Sequence, residues 1–224
     1  MFSLQETEET INHFLAELKV LIRQNKFNTN EDQEYIFSGV SWENYQMISD
    51  AIADESWCRT SYLDGLFKIM SPGLNHERIK SFLDAVIQTY CFEKDIKCFP
   101  MASTTLKNKI YGLKSKEPDA IFAIKDDKQI PDIAIEVNLT SGSEVDLEIY
   151  AGIGVTEVWI WNRKNKLKFY ILETNRYIET NKSKILENLP LEIVYQTVNT
   201  MREKDLNAGK RQPISFLKNS PGSG

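Results

Sequence analysis

Two apolar runs constrain the fold more than anything else in the chain: Ile133-Ala-Ile-Glu-Val-Asn-Leu139 and Val155-Thr-Glu-Val-Trp-Ile-Trp161, joined by a helix-like stretch over about 144–153. Both are rich in β-branched and aromatic residues, which predicts strands. Strand, helix and strand within roughly thirty residues make a βαβ unit. Such a crossover sets its two strands parallel and near the centre of a sheet. With further strands predicted at 120–124 and 167–172, the chain reads as α/β.

The remaining segments fit around that unit. Ile11, Phe14, Leu15, Leu18, Leu21 and Ile22 repeat at helical spacing and predict an amphipathic helix over 4–27. The polar stretch 28–33 reads as a linker, and Ser41 as the N-cap of a helix reaching about residue 54. Asp64-Gly65 between two apolar runs predicts a hairpin over 61–70. Ile79, Phe82, Leu83, Val86, Ile87 and Tyr90 predict a long helix from about residue 75. A strand near 98–101, a polar lysine-rich stretch over 107–116 and a helix near 189–201 complete the pattern. The expected organisation is an N-terminal helical extension over 1–30, one domain over 31–204 and a polar flexible tail over 205–224.

The 224 residues suffice for one substantial core. No stretch approaches the roughly 18 apolar residues of a membrane span, and Met1 to Thr10 is acidic where a signal peptide is basic; a cytoplasmic protein with no membrane partner is expected. A formal charge of -5 argues against a strong non-specific nucleic-acid binder, so any DNA contact must come from local basic clusters such as Lys107, Lys109, Lys114 and Lys116. A solvated loop explains those lysines equally well. Cys58, Cys91 and Cys98 show neither an even count nor CxxC spacing, which implies no disulfide framework and no zinc site. Trp159 and Trp161 are expected in the core rather than as base-stacking platforms.

In 133–139, Ile133, Ile135, Val137 and Leu139 form one face, and Ala134, Glu136 and Asn138 the other. A central strand is covered on both faces, so Glu136 needs a partner. Asp119 is the natural one, because Pro118 fixes the backbone just before the neighbouring strand. Two carboxylates converging from adjacent strands suit Mg²⁺ or Mn²⁺, hard cations that prefer oxygen. His76 and Glu77 open the long helix, whose N-terminus suits an anion or Glu77 itself as a first-turn acid; capping and packing are the alternative.

The chain resembles the Uma-two family of bacterial endonucleases, a branch of the PD-(D/E)XK nucleases. The matching motifs are Ser41-Trp-Glu-Asn-Tyr45, Tyr62-Leu-Asp-Gly65, Met70-Ser-Pro72 with His76-Glu-Arg-Ile79, and Ser103-Thr-Thr-Leu106. Glu117-Pro-Asp119, Pro131-Asp-Ile-Ala-Ile-Glu-Val137 with Thr140-Ser-Gly142, and Leu147-Glu-Ile-Tyr150 leading to Gly154-Val-Thr-Glu-Val-Trp159 follow in order. The resemblance implies a restriction-endonuclease-like core, a mixed central β-sheet flanked by helices, with Asp119 and Glu136 as metal-binding acids and the Val137 carbonyl as a further ligand. It also implies a lysine two residues after the acid or just before Leu-Glu-Ile-Tyr; here those positions hold Asn138 and Asp146. Asp146 then stands as a possible third metal-binding carboxylate, and Lys114, Lys116 or Lys125 as lysines able to reach the site.

The expected function is metal-dependent hydrolysis of DNA phosphodiester bonds, impaired if no lysine takes the missing place. The alternative is a catalytically inactive nuclease-fold module that binds nucleic acid or protein. The helix over 4–27 adds a third reading, self-association into a homodimer.

Overall fold

The computed structural model describes residues 31–52, 58–101, 105–108, 114–140, 144–186 and 189–211, with four helical positions before them, His13, Ala16, Glu17 and Val20. The rest of the expected helix over 4–27, Lys109 and residues 212–224 of the expected tail lie outside the described residues; positions 206–211 of that tail are helical.

In chain order the elements begin with β1 (Gln33–Phe37), α1 (Trp42–Ala51), β2 (Arg59–Leu63), β3 (Leu66–Ser71), α2 (Leu74–Glu93) and β4 (Cys98–Pro100). They continue with β5 (Leu106–Asn108), β6 (Lys114–Lys116), β7 (Ala120–Ile124), β8 (Ile133–Asn138) and α3 (Glu144–Ile153). The series ends with β9 (Glu157–Asn162), β10 (Leu167–Glu173), β11 (Arg176–Thr180) and α4 (Leu191–Glu203).

The five-stranded first sheet runs β1-β3-β2-β6-β5 and is antiparallel throughout. Its centre is the expected hairpin: Asp64 and Gly65 both take positive φ (43° and 96°), as a tight primed turn requires. The Ser41 hydroxyl accepts the Asn44 N–H at 3.1 Å and starts α1. That helix buries Trp42, Tyr45 and Ile48 against Tyr62 and Phe67 of the hairpin. Two segments of the sheet depart from expectation. Residue 33, read as linker, begins strand β1, an edge strand with Ile36 57% exposed. The lysine-rich stretch contributes β5 and β6. Lys-Ser-Lys carries no strand propensity of its own; pairing with β2, Ser61 opposite Lys116, imposes it.

The six-stranded second sheet runs β11-β10-β9-β8-β7-β4. Its β8 and β9 are parallel, Ile135 opposite Trp159 and Val137 opposite Trp161, as the βαβ reading requires. Every residue of β8 is buried. Ile133, Ile135 and Val137 face a core shared with Leu83, Val86 and Ile87 of α2 and Val194 and Val198 of α4. On the other face Ala134 packs with Ile149, Tyr150 and Ile153 of α3. Trp159 and Trp161 are fully buried in the first of these cores, and Trp159 stacks on Phe169 with ring centroids 4.1 Å apart. Among the described residues no helix is long and apolar enough to cross a membrane.

Candidate functional site

The chain passes from the first sheet to the second between β6 and β7, and the polar cluster forms at that passage. Glu117 is pinned to the first sheet: its N–H donates to the Thr60 carbonyl at 2.9 Å, and its carboxylate accepts the Thr60 N–H and hydroxyl at 3.1 and 2.9 Å. Pro118 restricts φ at the crossing, and Asp119 follows at the start of β7. One step beyond the Ala120–Ile135 pair of the antiparallel β7–β8 ladder, Asp119 comes beside Glu136. The Val137 N–H donates to Asp119 Oδ2 at 2.8 Å.

Lys116 provides the cation. From the end of β6 its Nζ lies 3.0 Å from Glu136 Oε2 and 2.6 Å from Asp146 Oδ1. Asn138 donates from Nδ2 to Asp146 Oδ2 at 2.9 Å, so the two residues at the expected lysine positions hold each other and, through Asp146, hold Lys116. The Tyr150 hydroxyl donates to Glu136 Oε1. Lys68 Nζ stands behind, 4.0 Å from Asp146 and 3.4 Å from Glu34. Asp119, Glu136, Asp146 and Lys116 are each no more than 4% exposed.

Burial and neighbours push these groups in different directions. Burial drives the Glu136 carboxyl up to about 7, with Asp119 and Asp146 adding to it and Lys116 only partly opposing it. Burial also pushes Asp119 upward, but His76, the Val137 N–H and Lys116 outweigh it and bring it down to about 2. Asp146 is lowered as well, burial being overcome by Lys116 and Lys68. Burial would neutralise Lys116; Asp146 and Glu136 more than compensate and hold the ammonium charged.

Of the residues singled out in sequence, Asp119, Glu136, Asp146 and Asn138 gather here, and Val137 contributes its N–H. His76 joins them: it is fully buried, Nε2 lying 2.9 Å from Asp119 Oδ1. Glu77 does not; it pairs with Arg59 at 3.6 Å and Lys80 at 3.2 Å on a partly exposed face. Neither the DNA-tracking nor the solvated-loop reading describes Lys116, which is buried against carboxylates; of the three lysines expected to be able to reach the site, it is the one that does so. Lys114 binds Glu148 at 3.2 Å, its stem crossing α3 where Gly152 has no Cβ to obstruct it. Lys125, at φ 72° just past the far end of β7, is exposed and remote. Asp32, Lys68 and Tyr150 were not anticipated. Tyr150 lies in a quoted motif, whereas Asp32 is a lone acid in a polar stretch and gives no signal.

Asp119, Glu136 and Asp146 bring together carboxylate oxygens, the donor type that a hard divalent cation would take. Asp32, Asp119, Glu136 and Asp146 outnumber the buried cations His76 and Lys116, and the proton affinity of Glu136 is raised first by burial and then by its neighbours Asp119 and Asp146. Among the described residues no group of three or more His, Cys, Asp or Glu side chains is arranged to hold a metal ion. Mg²⁺ does not require such a group, since it is commonly held by one or two carboxylates together with water and substrate phosphate.

A family model described as "Uma2: Putative restriction endonuclease" matches residues 42–201, well over half of the chain. No curated protein matches the sequence. The matched span contains the hairpin, the parallel β8–β9 pair and every member of the polar cluster except Asp32 and Glu34. The chain belongs to the Uma2 family, with its restriction-endonuclease-like fold of two sheets flanked by helices and its nuclease-like function.

Proposed function

We propose that the chain hydrolyses DNA phosphodiester bonds with the aid of Mg²⁺ or Mn²⁺, using Asp119 and Glu136 as the metal-holding acids and Lys116 in place of the lysine absent at positions 138 and 146. The observation that carries the reading is the position of Lys116 Nζ, 3.0 Å from Glu136 and 2.6 Å from Asp146.

When bound, the ion supplies Lewis-acid polarisation of the phosphodiester and a lower pKa for a coordinated water. Asp119 is ionised at neutral pH and is held from two sides, by the Val137 N–H and by His76. Glu136 releases its proton near neutrality and becomes a ligand as it does so. Lys116 donates to Asp146 and is ion-paired with Glu136, and an ammonium proton beyond these serves the scissile phosphate or the attacking water. Such a donor is worth about 10² to 10⁴ in rate. Asp146 and Asn138 act by fixing Lys116.

A second reading rests on the same contacts: all six oxygens of Asp119, Glu136 and Asp146 already have partners within the protein. A closed network of this kind serves a binding module equally well. Calorimetric titration with Mn²⁺ and a DNA cleavage assay with Mg²⁺ or Mn²⁺ separate the two. The nuclease reading expects binding and cleavage by the wild type and loss of both in Glu136→Ala; cleavage that persists in that variant or in excess chelator refutes it. A protein that binds no Mn²⁺ and cuts no DNA is the binding module.

A further inference from the structure

Asp32 lies just before β1 and ahead of the family-matched span, yet its side chain is only 2% exposed and both oxygens are engaged. Oδ1 accepts the Gly73 N–H at 2.9 Å, at the N-cap of α2, where no side chain of the helix itself caps. Oδ2 faces His76 Nδ1, also at 2.9 Å. The opposite ring nitrogen, Nε2, meets Asp119 Oδ1 at the same distance, in an ion pair rather than an aligned hydrogen bond. An imidazole with a carboxylate oxygen at each nitrogen carries a proton on both.

Capping does not account for this arrangement. The cap uses only Oδ1 of Asp32, and an apolar side chain at position 76 would fill the buried start of α2 without the cost of desolvating three ionic groups. What the arrangement accomplishes is orientation: Asp32 fixes the His76 ring, the ring fixes Asp119 Oδ1, and the Val137 N–H fixes Oδ2.

Resting on the reading of Asp119 as a metal-holding acid, we propose that Asp32 and His76 are positioning residues that set the Asp119 carboxylate, so that the segment preceding the family-matched span completes the site. Partners that orient a ligating group in this way are typically worth 10- to 100-fold in metal affinity.

Asp32→Asn tests the proposal, because the amide oxygen still accepts from Gly73 while its NH₂ group is turned on the His76 N–H. The chain has two histidines, so His13→Gln leaves His76 alone for ¹⁵N-histidine NMR of the ring N–H groups. The expected result is that Asp32→Asn moves the Nε2–H resonance together with Nδ1–H and weakens Mn²⁺ binding about tenfold, alongside a lower melting temperature from the broken buried pair. His76→Gln added to Asp32→Asn weakens it little further, because the two act in series. A change confined to Nδ1–H with Mn²⁺ affinity intact overturns the proposal and leaves a helix cap. If the wild type binds no Mn²⁺, the metal reading of Asp119 fails separately. The Nε2–H resonance then still decides the positioning role: movement supports it and constancy overturns it.

Discussion

Replacing Glu136 by glutamine removes a buried charge while keeping the side chain's shape. In the folded protein this carboxyl is raised from 4.5 to about 7, chiefly by burial. The folded state therefore binds the proton more tightly than the unfolded chain does. The stability this confers is fully present below about pH 4.5 and is lost as pH rises towards 7, a difference on the order of 3 kcal/mol. Glutamine has no proton to lose and escapes that penalty. Its amide can turn so that oxygen faces Lys116 and nitrogen faces the Tyr150 hydroxyl, whose proton then loses its acceptor; that cost is the same at both pH values, and Lys116 keeps Asp146 throughout. Urea unfolding of both proteins at pH 5 and pH 8 reads the effect, since groups common to both cancel in the difference. The advantage of Glu136→Gln over wild type should be about 2–3 kcal/mol larger at pH 8 than at pH 5, or roughly 5–10 °C in melting temperature. An advantage that is equal at the two pH values, or smaller at pH 8, refutes the reasoning.

Lys116→Met leaves Glu136 and Asp146 without their shared cation. It should cost about 3–5 kcal/mol in urea unfolding, and on the proposed mechanism it lowers DNA cleavage by about 10² to 10⁴. The reciprocal exchange Lys116→Asp with Asp146→Lys should recover about 0.5–3 kcal/mol relative to the sum of the single changes, as a double-mutant cycle measures; strict additivity would show that the two side chains do not act as a pair.

The parts of the fold legible in sequence are those where one local pattern meets one physical demand. The alternation in 133–139 declared both of its faces, and the structure covers one with α2 and α4 and the other with α3. Asp64-Gly65 specified its turn because few other residues tolerate those φ values. β1 and β6 were not legible, since pairing with β3 and β2 makes them strands and not their composition. The site divides along the same line. Glu136 is conspicuous because an acid in a buried strand demands an explanation, and Pro118 directs attention to Asp119. Asp32 lies 44 residues from His76, and nothing in its own neighbourhood marks it as buried.

Lys116 shows most directly why a spacing rule fails where a contact succeeds. A lysine on β8 or α3 would reach Glu136 from the second sheet or from the helix packed on it. Here the ammonium arrives from the first sheet, and the α3 position holds the carboxylate that receives it. The electrostatic requirement concerns where Nζ lies, within hydrogen-bonding distance of Glu136, and any element whose end points into the passage between the sheets meets it. β6 meets it because Glu117 is tied to Thr60 and Pro118 restricts the next step, so the residue just before them is fixed while the chain changes sheets. The same tether that sets Asp119 on one side of the passage therefore sets Lys116 on the other. A substitution that loosens Glu117 disturbs both charges together, whereas one at Asp146 disturbs the lysine directly.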